Sequence, residues 1–316
     1  MSATGNTVSV SSFWSRILAL ILDTLALSVL GFVLGIFLED VFIRLGEWGK
    51  VIGFFISLAY FSYMNSECFG GQTLGKRAVN IKVVDSQGKP ISLSRSHFRA
   101  LVLTLPFSLN GLYFPDFDLD GIFLGLLSLV TFGGIFSIVY LYIFNRRTRQ
   151  SLHDLLASTF VVNVSCSKVE TAEVWKAHYV FVGSIWVISC FSPLFLPNLL
   201  GEHQLSGIEN ARSVLHINPV VSRAAIVEGS STLYSTGEVQ ETKTFLSIKV
   251  SLYEDRLEDE KFAEKLARVV VSCYPEALRK DVVQLQLSYG YDIGISANWS
   301  SRKYSFEPIE LIERLE

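Results

Sequence analysis

The chain has 316 residues, of which 50% are hydrophobic and only 18% are charged, against about 25% charged residues in a typical soluble domain. Residues 1–200 carry 14 Lys and Arg against 12 Asp and Glu, a net charge of +2, whereas residues 201–316 carry 13 against 18, a net charge of −5. This composition excludes a secreted disulfide scaffold, a disordered tail protein and a basic nucleic-acid-binding protein.

Apolar runs in the first 200 residues predict five transmembrane helices. An α-helix rises 1.5 Å per residue, so about 20 residues cross a hydrocarbon core of about 30 Å. The first run holds one acid, Asp23, and the third is interrupted by Pro106. The five runs are residues 17–38, 48–64, 98–114, 121–144 and 179–200.

The basic residues between these runs predict the orientation. Residues 65–99 and 145–149 are rich in Lys and Arg, whereas residues 115–120 hold three Asp and no base. Cytoplasmic loops carry the excess of Lys and Arg in membrane proteins. Five crossings therefore place the N-terminus in the cytoplasm and residues 201–316 outside it. If residues 98–114 do not span fully, the side of the C-terminal part reverses.

Three segments of the membrane part carry a recognisable set of residues. In the first run, Arg16 is followed seven residues later by Asp23. The segment after the fourth run reads Ser151-Leu152-His153-Asp154. The loop after the second run reads Gly71-Gln72-Thr73-Leu74-Gly75-Lys76-Arg77, and Arg99 lies at the start of the third run.

This set, in this order, resembles the RDD family of bacterial membrane proteins over about residues 10–164, with Ser158 where the family typically has Gly. The resemblance implies that Arg16, Asp23 and Asp154 are the Arg and two Asp that name the family. It also implies a multi-pass protein of the bacterial inner (plasma) membrane. Some members are reported to resemble cation/proton antiporters, so the resemblance leaves a transport role open.

Asp23 is the one charged residue inside the first apolar run, and it admits two interpretations. An unpaired carboxylate there costs about 2.5–3.5 kcal/mol on insertion scales, so Asp23 must be neutral, paired or beside water. Candidate partners are Arg16, Arg99 and the cluster at 146–149. A structural ion pair and a protonatable group on an ion path both remain open. The fourth and fifth runs hold no ionisable Asp, Glu, Lys, Arg or His, which favours the structural interpretation.

The glycines and bases of residues 71–77 suggest a phosphate-binding loop, but the spacing of the P-loop motif is missing. The pattern favours a tight turn that leads into a strand at 79–85, with Lys76 and Arg77 contacting anionic lipid headgroups. His153 and Asp154 similarly favour a role in orienting an amphipathic segment over acid–base catalysis.

Two weaker signals lie in the membrane part. Asp116, Asp118 and Asp120 match the opening of an EF-hand calcium loop, but the twelfth position is Leu127 where a bidentate Glu is needed, so an acidic cap on an external turn is favoured. Gly31 and Gly35 form a G-x-x-x-G motif, which allows close helix packing within the chain or in a homo-oligomer.

The last part of the chain predicts a small α+β domain. Strands are expected at 232–240, 244–252, 282–291 and 300–306, with one helix that starts near Asp255 and is stopped by Pro275. The predicted fold class is thus a membrane domain of five helices followed by an α+β domain, divided as residues 1–164, 165–200 and 201–316.

The sequence predicts a non-catalytic membrane protein whose external domain senses, scaffolds or binds a protein partner. No cofactor, metal or nucleic acid is implied by any motif. The alternative is a transporter of ions or small solutes, similar to a cation/proton antiporter, that uses Asp23 and Arg16.

Overall fold

The computed structural model describes residues 10–112, 121–165, 173–200, 202–235 and 238–313. The chain divides into two compact units. The membrane unit contains the residues up to Phe37, Lys50–Leu196 and Ile293–Ser296; the C-terminal unit contains Leu38–Gly49, Pro197–Asp292 and the residues from Ala297 onward. Leu38–Gly49 therefore groups with the C-terminal unit, whereas the predicted boundaries at residues 164 and 200 assign it to the membrane part.

Each of the five apolar runs folds into a helix. The helices of the first 200 residues are α1 (Phe13–Leu45), α2 (Gly49–Met64), α3 (Leu74–Ala78), α4 (Leu93–Leu109), α5 (Gly121–Ser128), α6 (Gly134–Phe144), α7 (Leu152–Leu156) and α8 (Lys176–Leu200). Leu38 interrupts α1 with a non-helical backbone (φ −125°, ψ 20°), and a π-helical turn, Leu129–Gly133, joins α5 to α6.

Among the described residues, three stretches are long and apolar enough to cross a membrane: 13–64, 122–144 and 176–195. The first of them contains both α1 and α2. The helix α4 has only 17 residues and carries Arg95, His97 and Arg99 in its first half, with Pro106 near its end. The prediction of membrane helices is confirmed, while the number of five crossings goes beyond these three stretches.

The outer surfaces of the long helices are apolar. Phe37 on α1 is 78% exposed, and Val180 and Ile188 on α8 are 70% and 69% exposed. Soluble monomers rarely expose contiguous apolar patches of this kind. These surfaces are suited to contact with lipid chains, as expected for a membrane unit.

Small residues allow α8 to pack closely against α5 and α6. A Cβ at Gly125 would lie 3.0 Å from the Cys190 carbonyl oxygen. The Ser128 hydroxyl donates to the Ser189 carbonyl at 2.6 Å, and Trp186 Nε1 donates to Ser137 Oγ at 2.9 Å. Small side chains and interhelical hydrogen bonds are the usual means of helix association in lipid.

Gly31 and Gly35 are both buried within the chain. In the membrane unit, a Cβ at Gly31 would lie 2.7 Å from Ser296 Cβ. The G-x-x-x-G position at Gly31 is therefore already covered by the same chain.

A two-stranded antiparallel sheet completes the membrane unit. Its strands are β1 (Ile81–Val84) and β2 (Phe160–Asn163), paired from Ile81 opposite Asn163 to Val84 opposite Phe160. The Ser11 amide also donates to the Val161 carbonyl at 3.0 Å. The sheet thus ties together the start of the chain and the segments after α3 and α7.

The C-terminal unit is an α+β fold, as predicted. Its elements are α9 (Glu202–His216), β3 (Val221–Ser235), β4 (Glu238–Leu252), α10 (Glu260–Cys273), β5 (Val282–Asp292), β6 (Ala297–Phe306) and α11 (Glu310–Glu313). The predicted order of two strands, a helix and two strands is confirmed for β3 to β6. The prediction missed α9. The single strand expected at 232–240 was wrong, because residues 232–235 end β3 and residues 238–240 begin β4.

One face of this sheet carries the core. The strand order is β3-β4-β5-β6, antiparallel except for the parallel pair β4–β5, which α10 connects. Ile248, Leu285 and Leu287 on the sheet and Leu266 and Val270 on α10 are nearly inaccessible to solvent. The Asp259 side chain accepts a hydrogen bond from the Phe262 amide at 2.9 Å and caps α10.

Candidate functional site

Asp154 lies at the centre of a buried charge cluster formed by residues far apart in sequence. Arg16 on α1 donates from Nη2 to Asp154 Oδ2 at 2.7 Å. Arg99 on α4 donates to Asp154 Oδ1 from Nη2 at 2.7 Å and from Nε at 3.0 Å. Arg16 is 8% exposed, Arg99 3% and Asp154 0%. We call these three residues the Arg–Asp–Arg cluster.

Local structure explains how Asp154 reaches this position. It lies in the first turn of α7, where its Oδ2 accepts a hydrogen bond from the Ser151 amide at 3.3 Å to form a capping box. Thr159 Oγ1, at the start of β2, donates to Asp154 Oδ1 at 3.2 Å. Every oxygen of the carboxylate therefore has at least two donors.

Burial and charge act in opposite directions on Asp154. Burial alone raises the pKa of its carboxyl, but the positive groups around it, with Arg99 and Arg16 in direct contact, hold that pKa well below its usual range. The carboxyl is thus ionised at neutral pH. A buried charge that loses its partner typically costs about 3–5 kcal/mol, so the three groups depend on one another.

Asp23 does not join this cluster, and the expectation that it pairs with Arg16, Arg99 or Arg146–Arg149 was wrong. Asp23 Oδ1 accepts hydrogen bonds from the Tyr60 hydroxyl and the Gly75 amide, both at 2.7 Å. Asp23 Oδ2 accepts one from Thr73 Oγ1 at 2.6 Å. Hydroxyl and amide donors replace the guanidinium, since the loop after α2 reaches this face of α1.

The two glycines of the 71–77 loop permit this approach. Gly71 has a left-handed backbone (φ 76°), and a Cβ there would lie 2.3 Å from the Val83 carbonyl oxygen. A Cβ at Gly75 would lie 2.1 Å from the Ala19 carbonyl oxygen on α1. Gln72 Nε2 donates to the Ile81 carbonyl at 3.0 Å. Residues 71–77 thus form a tight turn that continues into α3. The strand β1 follows α3 and is shorter than the strand predicted at 79–85.

Lys76 and Arg77 differ in their surroundings. Arg77 is exposed, and its contact with lipid headgroups stays a prediction. Lys76 is partly buried, and burial, with a contribution from the Arg99 charge, lowers its pKa from the ordinary 10.5 to about 7. Asp23 and Asp154 act in the opposite direction. The pKa of Lys76 therefore lies near neutral pH, where its protonation is influenced by the charges of both Asp23 and Asp154.

His153 is the neutral neighbour of Asp154. Burial lowers the pKa of His153 to about 3, so the imidazole is uncharged at neutral pH. Its Nε2 lies 3.6 Å from Asp154 Oδ2, and its buried Nδ1 has no hydrogen-bond partner among the described residues. Both side chains of the pair are buried.

Some site residues were missed from the sequence. Tyr60 and Thr73 hold Asp23, and nothing in their local sequence distinguishes them. Arg95 donates to the carbonyls of Ala157 and Ser158 at 2.6 and 2.5 Å and so caps the end of α7. The Ser151-x-x-Asp154 spacing is a capping-box pattern that could have placed the start of α7.

The predicted calcium ligands Asp116, Asp118 and Asp120 lie outside the described residues. Within the described part of the chain, no group of three or more His, Cys, Asp and Glu residues could hold a metal ion.

Comparison with known proteins gives one result for the first half of the chain. Residues 10–158 match the model of the RDD family. No curated protein and no solved structure matches the chain.

Proposed function

We propose that the RDD family domain of residues 10–158 anchors this protein in the bacterial inner membrane and that the C-terminal unit binds a partner outside the cytoplasm. In this role the charges of the signature residues hold the cytoplasmic segments together. They take no part in chemistry or transport.

The hydrogen bonding of the buried Asp154 and Asp23 carboxylates to other parts of the protein carries this proposal. Asp154 is held by Arg16, Arg99, Thr159 and the Ser151 amide, and Asp23 by Tyr60, Thr73 and Gly75. A carboxylate that takes up and releases a transported cation needs free oxygen lone pairs or water access. Two buried carboxylates whose oxygens all accept hydrogen bonds from the protein are better suited to fixing α1, α4, α7 and the 71–77 loop in place.

A five-crossing topology is consistent with this arrangement. The helices α1, α2, α4, α5–α6 and α8 then cross in turn, with the basic segments 65–99 and 145–149 in the cytoplasm. Leu38–Gly49, which contains the last part of α1 and the turn before α2, belongs to the C-terminal unit. Within that unit Phe42 packs on Tyr291 with ring centroids 5.4 Å apart, and Glu47 pairs with Arg223 at 3.1 Å. Since Arg16 lies at the other end of α1, this grouping supports an extracytoplasmic C-terminal unit.

A cation/proton antiporter is the second candidate, and Lys76 is the observation that favours it. Its ammonium group has a pKa of about 7, which burial lowers and the negative charges of Asp23 and Asp154 raise. A group that titrates at neutral pH beside two carboxylates could couple proton release to cation binding. The sequence predicts that such a transporter uses Asp23 together with Arg16. In the structure Arg16 contacts Asp154, and Asp23 accepts hydrogen bonds from other residues.

The two candidates are separated by the Asp23→Asn and Asp23→Ala variants. Protein abundance and thermal stability in detergent are measured beside Na⁺/H⁺ and K⁺/H⁺ exchange in vesicles with a pH-sensitive dye. The anchor role gives lower abundance for both variants and no exchange by the wild-type protein above empty vesicles. Exchange by the wild-type protein that is lost in a stable Asp23→Asn variant would establish the transporter instead.

A further inference from the structure

The sheet of the C-terminal unit has a second face that the core does not use. Side chains alternate along each strand, so the residues between the core positions of β4, β5 and β6 point to the opposite face. All nine side chains concerned are exposed or half-buried. The register places them in three rows across the strands: Ser247, Gln284 and Ser305; Lys249, Gln286 and Lys303; Ser251, Ser288 and Ser301. We call these nine residues the open sheet face.

The nine side chains of the open sheet face are all polar. They present five hydroxyls, two amides and two ammonium groups. Beside them in the same rows, β3 adds Arg223, Ala225 and Val227, which is 55% exposed. Lys249 and Lys303 stand in the same row on either side of Gln286, so about 10 Å separates their strands. Neither lysine makes an ion pair among the described residues.

The positive charge of this face contrasts with the rest of the domain. Residues 201–316 have a net charge of −5, with 13 Lys and Arg against 18 Asp and Glu. A group of lysines without acids in an acidic domain attracts anions locally, while the domain as a whole repels them. This complementarity selects a ligand that carries negative charge and fits the face closely.

One exposed aromatic residue extends the same face. Trp299 precedes Ser301 by two residues on β6 and is 47% exposed. It stands opposite Gly290, which has no side chain to cover the indole. A flat apolar ring at the end of a row of hydroxyls and ammonium groups can stack on the C–H face of a sugar ring.

From this combination we infer that the open sheet face binds an anionic polysaccharide, a hydroxyl-rich polymer that carries carboxylates. Ser and Gln side chains bond its hydroxyls, Lys249 and Lys303 pair with its carboxylates, and Trp299 stacks on a ring. Protein interfaces are depleted in Lys and Ser at their cores, and anionic lipid surfaces are recognised by clusters of about 4–8 Lys or Arg. The face fits neither of those partners as well. This inference rests on the proposed function and names the class of partner.

Binding of the purified full-length protein, in detergent, to immobilised polygalacturonate at low salt tests the inference. Methyl-esterified polygalacturonate and dextran serve as polymers without the carboxylates. We expect polygalacturonate alone to bind the wild-type protein. We expect the Lys249→Gln/Lys303→Gln variant to bind at least tenfold more weakly and Trp299→Ser several-fold more weakly. The matched control is Lys261→Gln/Lys265→Gln, which removes two exposed lysines of α10 from the covered side of the sheet and should change binding less than twofold.

Three results would overturn the inference. They are an absence of binding by the wild-type protein, an equal loss in the control variant, and variant-sensitive binding to phosphatidylglycerol vesicles without binding to the polymer. Since the purified protein has no sidedness, a negative result here leaves the proposed anchor role standing. That role fails separately if the C-terminal unit is found in the cytoplasm.

Discussion

Asp154 connects three parts of the membrane unit through one side chain. Its carboxylate receives Arg16 from α1 and Arg99 from α4, and it caps the first turn of α7. Opposite charges in contact offset the cost of burial only while all partners are present. Removing the single negative charge leaves two guanidinium groups close together without compensation.

The Asp154→Asn variant should therefore lose about 3–5 kcal/mol of stability. We expect a marked fall in the thermal unfolding midpoint in detergent and in the amount of protein in the membrane. The Arg77→Gln variant changes one exposed charge of the neighbouring loop and should stay close to the wild-type values. Equal midpoints for Asp154→Asn and the wild type would show that the Arg–Asp–Arg cluster does not hold the fold.

Lys76 makes stability depend on pH in a predictable direction. Its pKa is about 7 in the folded chain and near 10.5 when unfolded, so between these values the unfolded chain binds a proton that the folded chain does not. Stability from this group thus rises as pH increases from about 7 to 10.5. Burial is the main cause of the lowered pKa; the charges of Arg99 and Arg16 add to it, and those of Asp23 and Asp154 oppose it.

The Lys76→Met variant removes this dependence. At pH 6 its thermal midpoint should exceed that of the wild-type protein, because the wild type keeps a poorly solvated charge there. The gap should narrow as pH rises toward 10. A difference between the two midpoints that is constant over pH 6–10 would mean that Lys76 is protonated to the same extent in the folded and unfolded chains.

At the scale of elements, α3 and the turn before it depend on contact with α1. Gly75 brings its amide to Asp23 at 2.7 Å, and a Cβ there would lie 2.1 Å from the Ala19 carbonyl oxygen. No flexible side chain can move away, since the neighbouring atom belongs to the backbone of α1. The separation of α1 and α3 is thus set by a residue without a side chain.

A Gly75→Ala substitution should cost about 1–3 kcal/mol or more through this overlap and lengthen the hydrogen bond to Asp23. The matched control is Gly183→Ala on α8, where a Cβ would meet nothing within 4 Å and alanine favours the helix by about 1 kcal/mol. Thermal midpoints of both variants in detergent check the expectation. A Gly75→Ala variant as stable as Gly183→Ala would contradict the close packing of α3 on α1.

Helices and strands with a strong local pattern could be predicted from the sequence, and elements defined by distant contacts could not. The runs at 121–144 and 179–200 are uncharged and became helical, and alternation gave β4 and β5 within a few residues. Residues 160–163 lack alternation because both faces of β2 are covered. The helix α9 was missed although Ile208, Ala211 and Leu215, which face the core, repeat at helical spacing. The helix α4 begins at Leu93, before the apolar run, because Ser92 accepts from the Arg95 amide and caps it.

The site shows the same division at finer scale. The resemblance to the RDD family singled out Arg16, Asp23 and Asp154, with Arg99 among the residues that carry it. It could not tell which Arg meets which Asp, because that pairing depends on how far the 71–77 loop reaches over α1. Thr73 in that loop and Tyr60 on α2 donate hydrogen bonds to Asp23, where a guanidinium was one of the expected partners. No local pattern in the sequence indicates these two donors.

At the scale of the whole molecule, α1 is divided between the two units at Leu38. The Arg–Asp–Arg cluster includes Arg16, near the start of α1. The C-terminal unit includes Leu38–Gly49, which begins at the break in α1 at Leu38. At 1.5 Å per residue, the helix between these positions is long enough to cross the hydrocarbon core. The anchor role requires the two ends to lie on different sides of the membrane.

Cysteine labelling in intact cells measures this sidedness directly. With Cys166, Cys190 and Cys273 replaced by Ala, the exposed Cys68 reports on the segment between α2 and α3. In a matched chain, Cys68→Ser is combined with Ser305→Cys, which reports on the open sheet face. If the C-terminal unit lies outside the cytoplasm, a membrane-impermeant maleimide labels the Ser305→Cys chain in intact cells and labels Cys68 only after permeabilisation. Labelling of Cys68 in intact cells with protection of the Ser305→Cys chain would contradict it.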